Sequence, residues 1–482
     1  MGAGPRPADE PPPRSLADLN PETRASWYPE FDRFFRPYVP LFDLNGTGRT
    51  AEQARRYAGG LLGPEEVKSM EPIAQRTATP YHRTQHFITD SPWPTEIVQI
   101  AFVKEMGGRF ASPNGILALD DEGDPRKGDA SVGVYRQYCG NRGKEENCQV
   151  AVSLSYVRPH PERYADMESF GMGMQLYLPK ERAEDPVHRK KTHVPEKIAY
   201  EPKWRIGLGL IDRALSLRLP HRAVVADADY GRAGEFRRAL RDRKEAYVLG
   251  VQPTQTEVAV LGKDGRLSEP RKLSEVAPGL PEKAWKSVVW SQGTKGPLRM
   301  EAARLRAKVC VGGEPIEEEE VWVVFERRAN ETKAYVIWGL DGLGLRAQVE
   351  LIRARWGIEL WFEHGKSELG LDQFEGRTWP GWHHNATMVM LAHGFLMVQR
   401  SKGKGKGKKG EPLPTLPTVK LGVRHRVVWE LSMRIVDEED RGRRERLLIT
   451  MAYAMGRPPK LTEDGHIFVS SDWRDYVDAP RW

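Results

Sequence analysis

The stretch Ala223-Val224-Val225-Ala226-Asp227-Ala228-Asp229-Tyr230-Gly231 decides how the rest of the chain is read. Four consecutive apolar residues, two of them β-branched, describe a short strand buried on both faces, and the run stops on an acid. Upstream, Ile206, Leu210, Ile211 and Leu215 recur at helical spacing within residues 204–217, so a helix leads through Pro220 into the strand. Downstream, residues 234–243 read as a second helix and Tyr247-Val248-Leu249-Gly250-Val251 as another apolar strand. Strand, helix and strand at this spacing make a βαβ unit, whose two strands run parallel.

Toward the N-terminus, Ile116-Leu117-Ala118-Leu119-Asp120 is a second apolar run ending in an acid. Residues 131–139 and 148–157 alternate apolar with polar and are rich in Val and Tyr, which adds two further strands. Three antiparallel strands, then helix, strand, helix and strand, is the order of a ribonuclease-H-like α/β core: a mixed sheet flanked by helices. In that topology the first and fourth strands are neighbours, so Asp120 and Asp227 are expected side by side.

The remaining segments fall around this core. Residues 1–15 are Pro-rich and have almost nothing to bury against the cost of ordering, which predicts a disordered tail. Residues 16–110 show helical spacing, as in Phe31, Phe34 and Phe35 or Ile97, Ile100, Ala101 and Val103, and form the expected helical N-terminal region. After the first part of the core (111–252), residues 253–340 read as an inserted β subdomain with strands near 285–290, 321–325 and 334–338. Residues 341–399 complete the core with a long helix over 345–369 and an apolar one over 388–398. The lysine-glycine tract in 400–411 predicts a basic flexible linker. Residues 412–482 contain a helical pattern at 443–455 and no assignable role.

Bulk composition narrows the class. Lys plus Arg number 74 against 67 for Asp plus Glu, a net charge of +7 that suits a polyanionic partner. Cys139, Cys148 and Cys310 are too few and too scattered for a disulfide framework, and no CxxC pair suggests zinc. The N-terminal stretch has no apolar signal core, Arg6 stands where a myristoylation motif needs Ser or Thr, and no apolar run reaches membrane-spanning length. A cytoplasmic protein without a membrane contact is the expectation.

Two divalent metals roughly 4 Å apart activate a water or a 3′ hydroxyl and stabilise the departing oxygen at a phosphodiester, and such hard ions take carboxylate ligands. Asp120 and Asp227 end adjacent strands; Glu359 is placed to reach them from the helix. Taken singly, each is an ordinary solvated acid, and Arg355, Glu359, Glu363 and Lys366 share one helix face in the manner of an exposed ion-paired stripe. Asp121 competes with Asp120 for the first position; Glu122, Asp124 and Asp229 crowd the same ends.

Resemblance separates these readings. Arg355-Trp356-Gly357-Ile358-Glu359, followed after six residues by Lys366, resembles the Arg-(3)-Glu-(6)-Lys signature of insertion sequence 4 related transposases. That signature normally opens with Tyr three residues before the Arg, where this chain has Ile352. Further stretches resemble the insertion sequence 701 family in order: Gln85-His86-Phe87 with Ser91-Pro92-Trp93, Asp120 through Gly128, Arg136-Gln137-Tyr138-Cys139-Gly140, Ala226 through Gly231, and Glu368-Leu369-Gly370-Leu371-Asp372. Where the family has Thr two residues after its first acid, Glu122 stands here. The resemblance spans about residues 30–400. It implies a DDE transposase that cuts insertion-sequence ends and joins their 3′ hydroxyls to target DNA, with Asp120 (Asp121 as alternate), Asp227 and Glu359 as catalytic metal ligands. Two Mg2+ ions per site, replaceable by Mn2+, go with it, as do phosphate contacts from Arg355 and Lys366. It also implies double-stranded DNA as partner and a homo-oligomer that pairs two ends. The alternatives are a transposase-derived DNA-binding regulator without strand transfer, or another ribonuclease-H-like nuclease.

Other features carry less. Trp356 is expected in the core, as a Trp in an amphipathic helix usually is, with stacking on an unpaired base as the alternative. Arg55, Arg56 and Arg83 are the basic residues of the N-terminal helical region that could meet DNA. His82 and His86 have zinc-compatible spacing but no third ligand, and Gly207 and Gly209 sit in a helical pattern with no GK[ST] to make a phosphate loop.

Overall fold

The computed structural model describes residues 29–402, apart from 64–65, 78, 161–162, 164–165 and 294–295, together with 413–423, 451, 460–461 and 467–468. The expected tail (1–15), most of the lysine-glycine tract and the helical pattern at 443–455 lie outside the described residues. The chain folds as two compact units. One covers residues 103–362; the other combines the described residues before 103 with those after 362.

The 103–362 unit is built on one mixed sheet of twelve strands. Its first half comprises β1 (Ile116–Pro125), β2 (Tyr135–Cys139), β3 (Lys144–Arg158), β4 (Glu168–Leu176), β5 (Ala223–Ala226) and β6 (Tyr247–Val251). The second half comprises β7 (Glu257–Val260), β8 (Arg271–Lys272), β9 (Lys286–Gly293), β10 (Gly296–Val311), β11 (Glu314–Arg327) and β12 (Thr332–Trp338). The strands run in the order β2-β3-β1-β5-β6-β12-β11-β10-β7-β8, with β4 also against β3 and β9 against β10. β1 is antiparallel to β3 and parallel to β5, which is parallel to β6. The path β4-β3-β1-β5-β6 is the ribonuclease-H-like core.

One expectation is corrected here and another is made more specific. The core's third antiparallel strand is β4, not the 131–139 segment. β3 is long enough to pair β2 along its first residues (Tyr135↔Cys148) and β4 along the rest (Ala151↔Leu176 to Arg158↔Glu168). β4 reads Glu-Ser-Phe-Gly-Met-Gly-Met-Gln-Leu, with no β-branched residue and with nearly every side chain buried, so neither composition nor alternation marks it. The inserted strands join the core sheet. β12 pairs antiparallel with β6 (Val336↔Leu249), and β7–β11 extend from it, covering what would otherwise be an open edge of the core.

Helices pad the sheet. Lys203–Ser216 buries Ile206, Leu210, Ile211 and Ala214 and packs on β3 and β4. Gly234–Asp242 is tied to the insertion through Glu319 of β11, which is fully buried. Its Oε1 accepts from Arg237 Nε (2.6 Å) and the Tyr247 hydroxyl (2.7 Å) and forms an ion pair with Arg241 Nη1 (2.8 Å). The helix expected over 345–369 is two helices, Leu345–Ala354 and Trp356–Leu369, that meet at Arg355.

The second unit is helical. Its core is aromatic: Phe35 stacks on Phe42, Trp93 stacks on Phe87 and on His384, and Phe395 meets Phe31 edge-on. The helix Trp379–Lys402, expected to complete the catalytic core, therefore packs among the N-terminal helices. It is buried on almost every side, so helical periodicity could not say against what. Arg56 is buried against Glu52 at 2.6 Å, and Arg55 joins Asp32 (2.5 Å) and Glu52 (3.3 Å), which occupies two of the arginines considered for DNA; Arg83 is exposed. His82 and His86 are also exposed. No helix among the described residues is long and apolar enough to cross a membrane.

Candidate active site

Register brings the strand-end acids together. β1 and β5 pair in parallel up to Leu119↔Ala226, so the next residue on each chain is an Asp, at the same end of neighbouring strands. Asp120 remains in β1, buried at 9% exposure. Asp227 leaves β5 and caps the short helix Ala228–Gly231: its Oδ1 accepts from the backbone N–H of Asp229 (3.0 Å) and Tyr230 (3.4 Å). The turn is tight because Gly231 lies on β6. A Cβ there would stand 1.8 Å from the Gly250 carbonyl oxygen, so any side chain would push the loop away.

Glu359 arrives from the opposite direction. Its helix buries Ile358, Trp361 and Phe362 and leaves the Glu359 carboxylate 36% exposed. Gly357 allows the close fit, since a Cβ on it would fall 2.3 Å from Val157 of β3 and 2.9 Å from the Met167 sulfur. At the junction of the two helices Arg355 spans the acids: Nη1 donates to Asp120 Oδ2 and Nη2 to Glu359 Oε1 at 3.2 Å. Ile352, where related signatures have Tyr, is buried and contributes no polar group.

The electrostatics describe an acid-rich cluster. Burial pushes the Asp120 carboxyl well above its ordinary range; Arg355 pulls it down, and Asp227 and Glu359 push it back up. Burial likewise raises Asp227, with Arg355 opposing and Asp229 and Asp121 adding to the rise. Asp121, one residue on from Asp120, is engaged by other groups. Its Oδ1 accepts from the Tyr230 hydroxyl, and its Oδ2 lies 2.7 Å from Lys203 Nζ. Four carboxylates (Asp120, Asp121, Asp227, Glu359) thus meet two cations (Arg355, Lys203).

Among the described residues no three His, Cys, Asp or Glu side chains converge closely enough to hold an ion as they stand. Arg355 lies between two of the acids in question. Hard oxygen donors carrying excess negative charge are nevertheless the ligand chemistry of Mg2+ and Mn2+.

Residues 40–297, more than half of the chain, match the DDE superfamily endonuclease family. The chain belongs to that family. A probable transposase for insertion sequence element IS701 from Microchaete diplosiphon is 29% identical to this DDE family member over 168 residues. The alignment covers 35% of this chain and 40% of that relative.

Several residues read from sequence stand differently in the structure. Glu122 is buried on the same side of β1 as Asp120 and accepts from the Asn141 side-chain amide, which anchors it. Trp356 is 47% exposed rather than in the core; Trp361 takes the buried position, against Gly171. Lys366 lies further along the helix of Glu359, beyond residue 362, where the other unit begins. Tyr230 and Lys203 were not singled out. Tyr230 had a signal, as a large residue inside a stretch shared with a known family, whereas Lys203 at a helix start had none.

Proposed function

We propose that this DDE family member is a transposase that cuts insertion-sequence ends and joins their 3′ hydroxyls to target DNA, with Asp120, Asp227 and Glu359 holding two Mg2+ ions. The observation that carries the proposal is the parallel Leu119↔Ala226 register, which makes Asp120 and Asp227 the next residues on two neighbouring buried strands, with Glu359 joined to Asp120 through Arg355. The donor set fits hard divalent ions in charge and chemistry, and Mn2+ can replace Mg2+. Bound there, the ions would activate the attacking oxygen and stabilise the departing one.

The chain's own groups have separate tasks. Asp120 is held for ligation by the Asp121 backbone N–H at 2.9 Å, and Asp227 by its helix-capping bonds. Arg355 balances the acids and, once displaced, is placed to meet a backbone phosphate; Lys366 supplies a second phosphate contact. Double-stranded DNA is the partner. Joining two ends requires a homo-oligomer, and the protein acts in the cytoplasm on the nucleoid.

The test is end cleavage and strand joining by the purified full chain on cognate-end duplexes in Mg2+ or Mn2+. Released 3′ hydroxyls that join target DNA, lost in Asp227→Asn and Glu359→Gln, are expected. If those variants still join ends, the site assignment is wrong; if the wild type binds ends tightly and never cuts, the protein is a DNA-bound regulator.

A further inference from the structure

We infer that Tyr230 and Lys203 form a clamp on Asp121 that holds it out of the metal position and so makes Asp120 the first acid. The inference rests on the proposed metal-binding role of the acids and concerns how that site is set. Neighbours on an extended strand point to opposite faces, so Asp120 and Asp121 cannot both face the same ion without distorting β1. Asp120 faces Arg355, Asp227 and Glu359. Asp121 has both oxygens occupied elsewhere, Oδ1 by the Tyr230 hydroxyl and Oδ2 by Lys203 Nζ at 2.7 Å.

The clamp has little freedom. Tyr230 is enclosed, 2% exposed, with Phe236 at 5.7 Å between ring centroids. A Cβ on Gly207, in the helix that begins at Lys203, would stand 3.2 Å from the Tyr230 ring, so that helix lies directly on it. Lys203 opens the same helix and rests over the Tyr177 ring at 5.6 Å. Tyr230 also touches the other strand end, because its backbone N–H donates to Asp227 Oδ1 at 3.4 Å. One residue therefore links the acid after β5 to the acid beside Asp120. Lys203 neutralises Asp121, which leaves the uncompensated charge on the three proposed ligands. Tyr230 and Lys203 are positioning residues: they act through Asp121 and Asp227, not on DNA.

Mn2+ binding to the full chain without DNA, followed by electron paramagnetic resonance, reads this directly. Groups that orient a metal site from outside its ligands typically set about 10–100-fold of metal affinity, so Tyr230→Phe, which frees Asp121 to compete beside Asp120, should weaken Mn2+ binding by at least about 10-fold. Asp121→Asn should weaken it by a similar factor, and the double variant no more than either alone, because the two changes break one link. Should Tyr230→Phe not fold by circular dichroism, Lys203→Met takes its place, with Lys203→Arg expected to recover most of the affinity. Asp121→Asn abolishing Mn2+ binding while Asp120→Asn retains it would overturn the clamp and make Asp121 the ligand. Tyr230→Phe and Lys203→Met both binding Mn2+ within twofold of wild type would overturn it as well. A wild-type chain that binds no Mn2+ removes the metal reading itself, and the clamp's role with it.

Discussion

Asp120 on β1 and Glu326 on β11 are buried carboxylates in one sheet, both bonded to arginine, and their acidities move in opposite directions. Burial alone would raise Glu326, but Arg328 at 2.8 Å, Arg353 at 2.5 Å and the Tyr335 hydroxyl at 3.0 Å hold it below its ordinary range. Asp120 has one arginine and two acidic neighbours, and it ends well above. Both are buried, and burial pushes each upward; the charges around them decide the direction in which each ends. Where cations match or outnumber the acid, as at Glu326 and at Glu319 with its two arginines, the network closes on itself and fastens strands to helices. Where acids outnumber cations, the leftover charge calls for a cation from outside, which is how a binding site differs from a brace.

The largest expected effect tests the acid-rich side. Asp120→Asn, Asp227→Asn or Glu359→Gln should cut Mg2+-dependent end cleavage by about 10³-fold or more, each tenfold being about 1.4 kcal/mol of lost transition-state stabilisation. The urea midpoint should hold or rise, because each change relieves repulsion. A large loss of stability would mean that these acids are braces after all. On the balanced side, Glu326→Gln should cost about 3 kcal/mol in urea unfolding, the low end for removing one partner of a buried pair, because Arg328 keeps partial contact with water. An unchanged midpoint would break the comparison from that end.

Arg355→Met sharpens it further. The apolar stem is kept while the charge goes, so the Asp120 carboxyl should climb higher still. The slope of log affinity for end DNA against log salt should shrink by about one, as for one lost phosphate contact. A slope equal to wild type would confine Arg355 to balancing the acids. The smallest effect concerns His221, paired one-to-one with Glu245 at 2.8 Å. Burial lowers the imidazole, but the bonds to Glu245 and the Leu219 carbonyl outweigh it and the group ends above its usual 6.5. A raised folded value stabilises fully below the unfolded one, and the benefit fades as pH climbs through the folded value. Wild type should therefore lose more thermal stability than His221→Asn on going from below pH 6.5 to pH 8; equal losses would remove His221 from the account.

Much of the core was legible because a few residues carried two signals at once. Ala223–Ala226 is both apolar and stopped by an acid, and the helix over 203–216 has a clean stripe, so the βαβ unit and its strand-end acids could be read directly. β4 could not, because Met and Gly supply burial without the β-branched pattern that announces a strand. The merger of insertion and core was equally hidden: pairing of β12 with β6 is a fact about partners, and a strand's sequence does not name its neighbour. At the site, the resemblance left Asp120 and Asp121 adjacent candidates. What distinguishes their surroundings is a tyrosine and a lysine 109 and 82 positions away from Asp121, groups that only folding brings near.

β12 lies between β6 of the core and β11 of the insertion and pairs with both. A ribosome delivers the chain from the N-terminus, so β1, β5 and β6 emerge first and β7–β11 follow with no register to the core. Until Thr332–Trp338 is available, the β6 edge of the core and the β11 edge of the insertion have no strand between them. Seven residues, Thr332–Trp338, close both at once, which makes this short segment the latch of biosynthesis and the place where a premature stop or a slow codon would do the most harm to the yield of folded molecules.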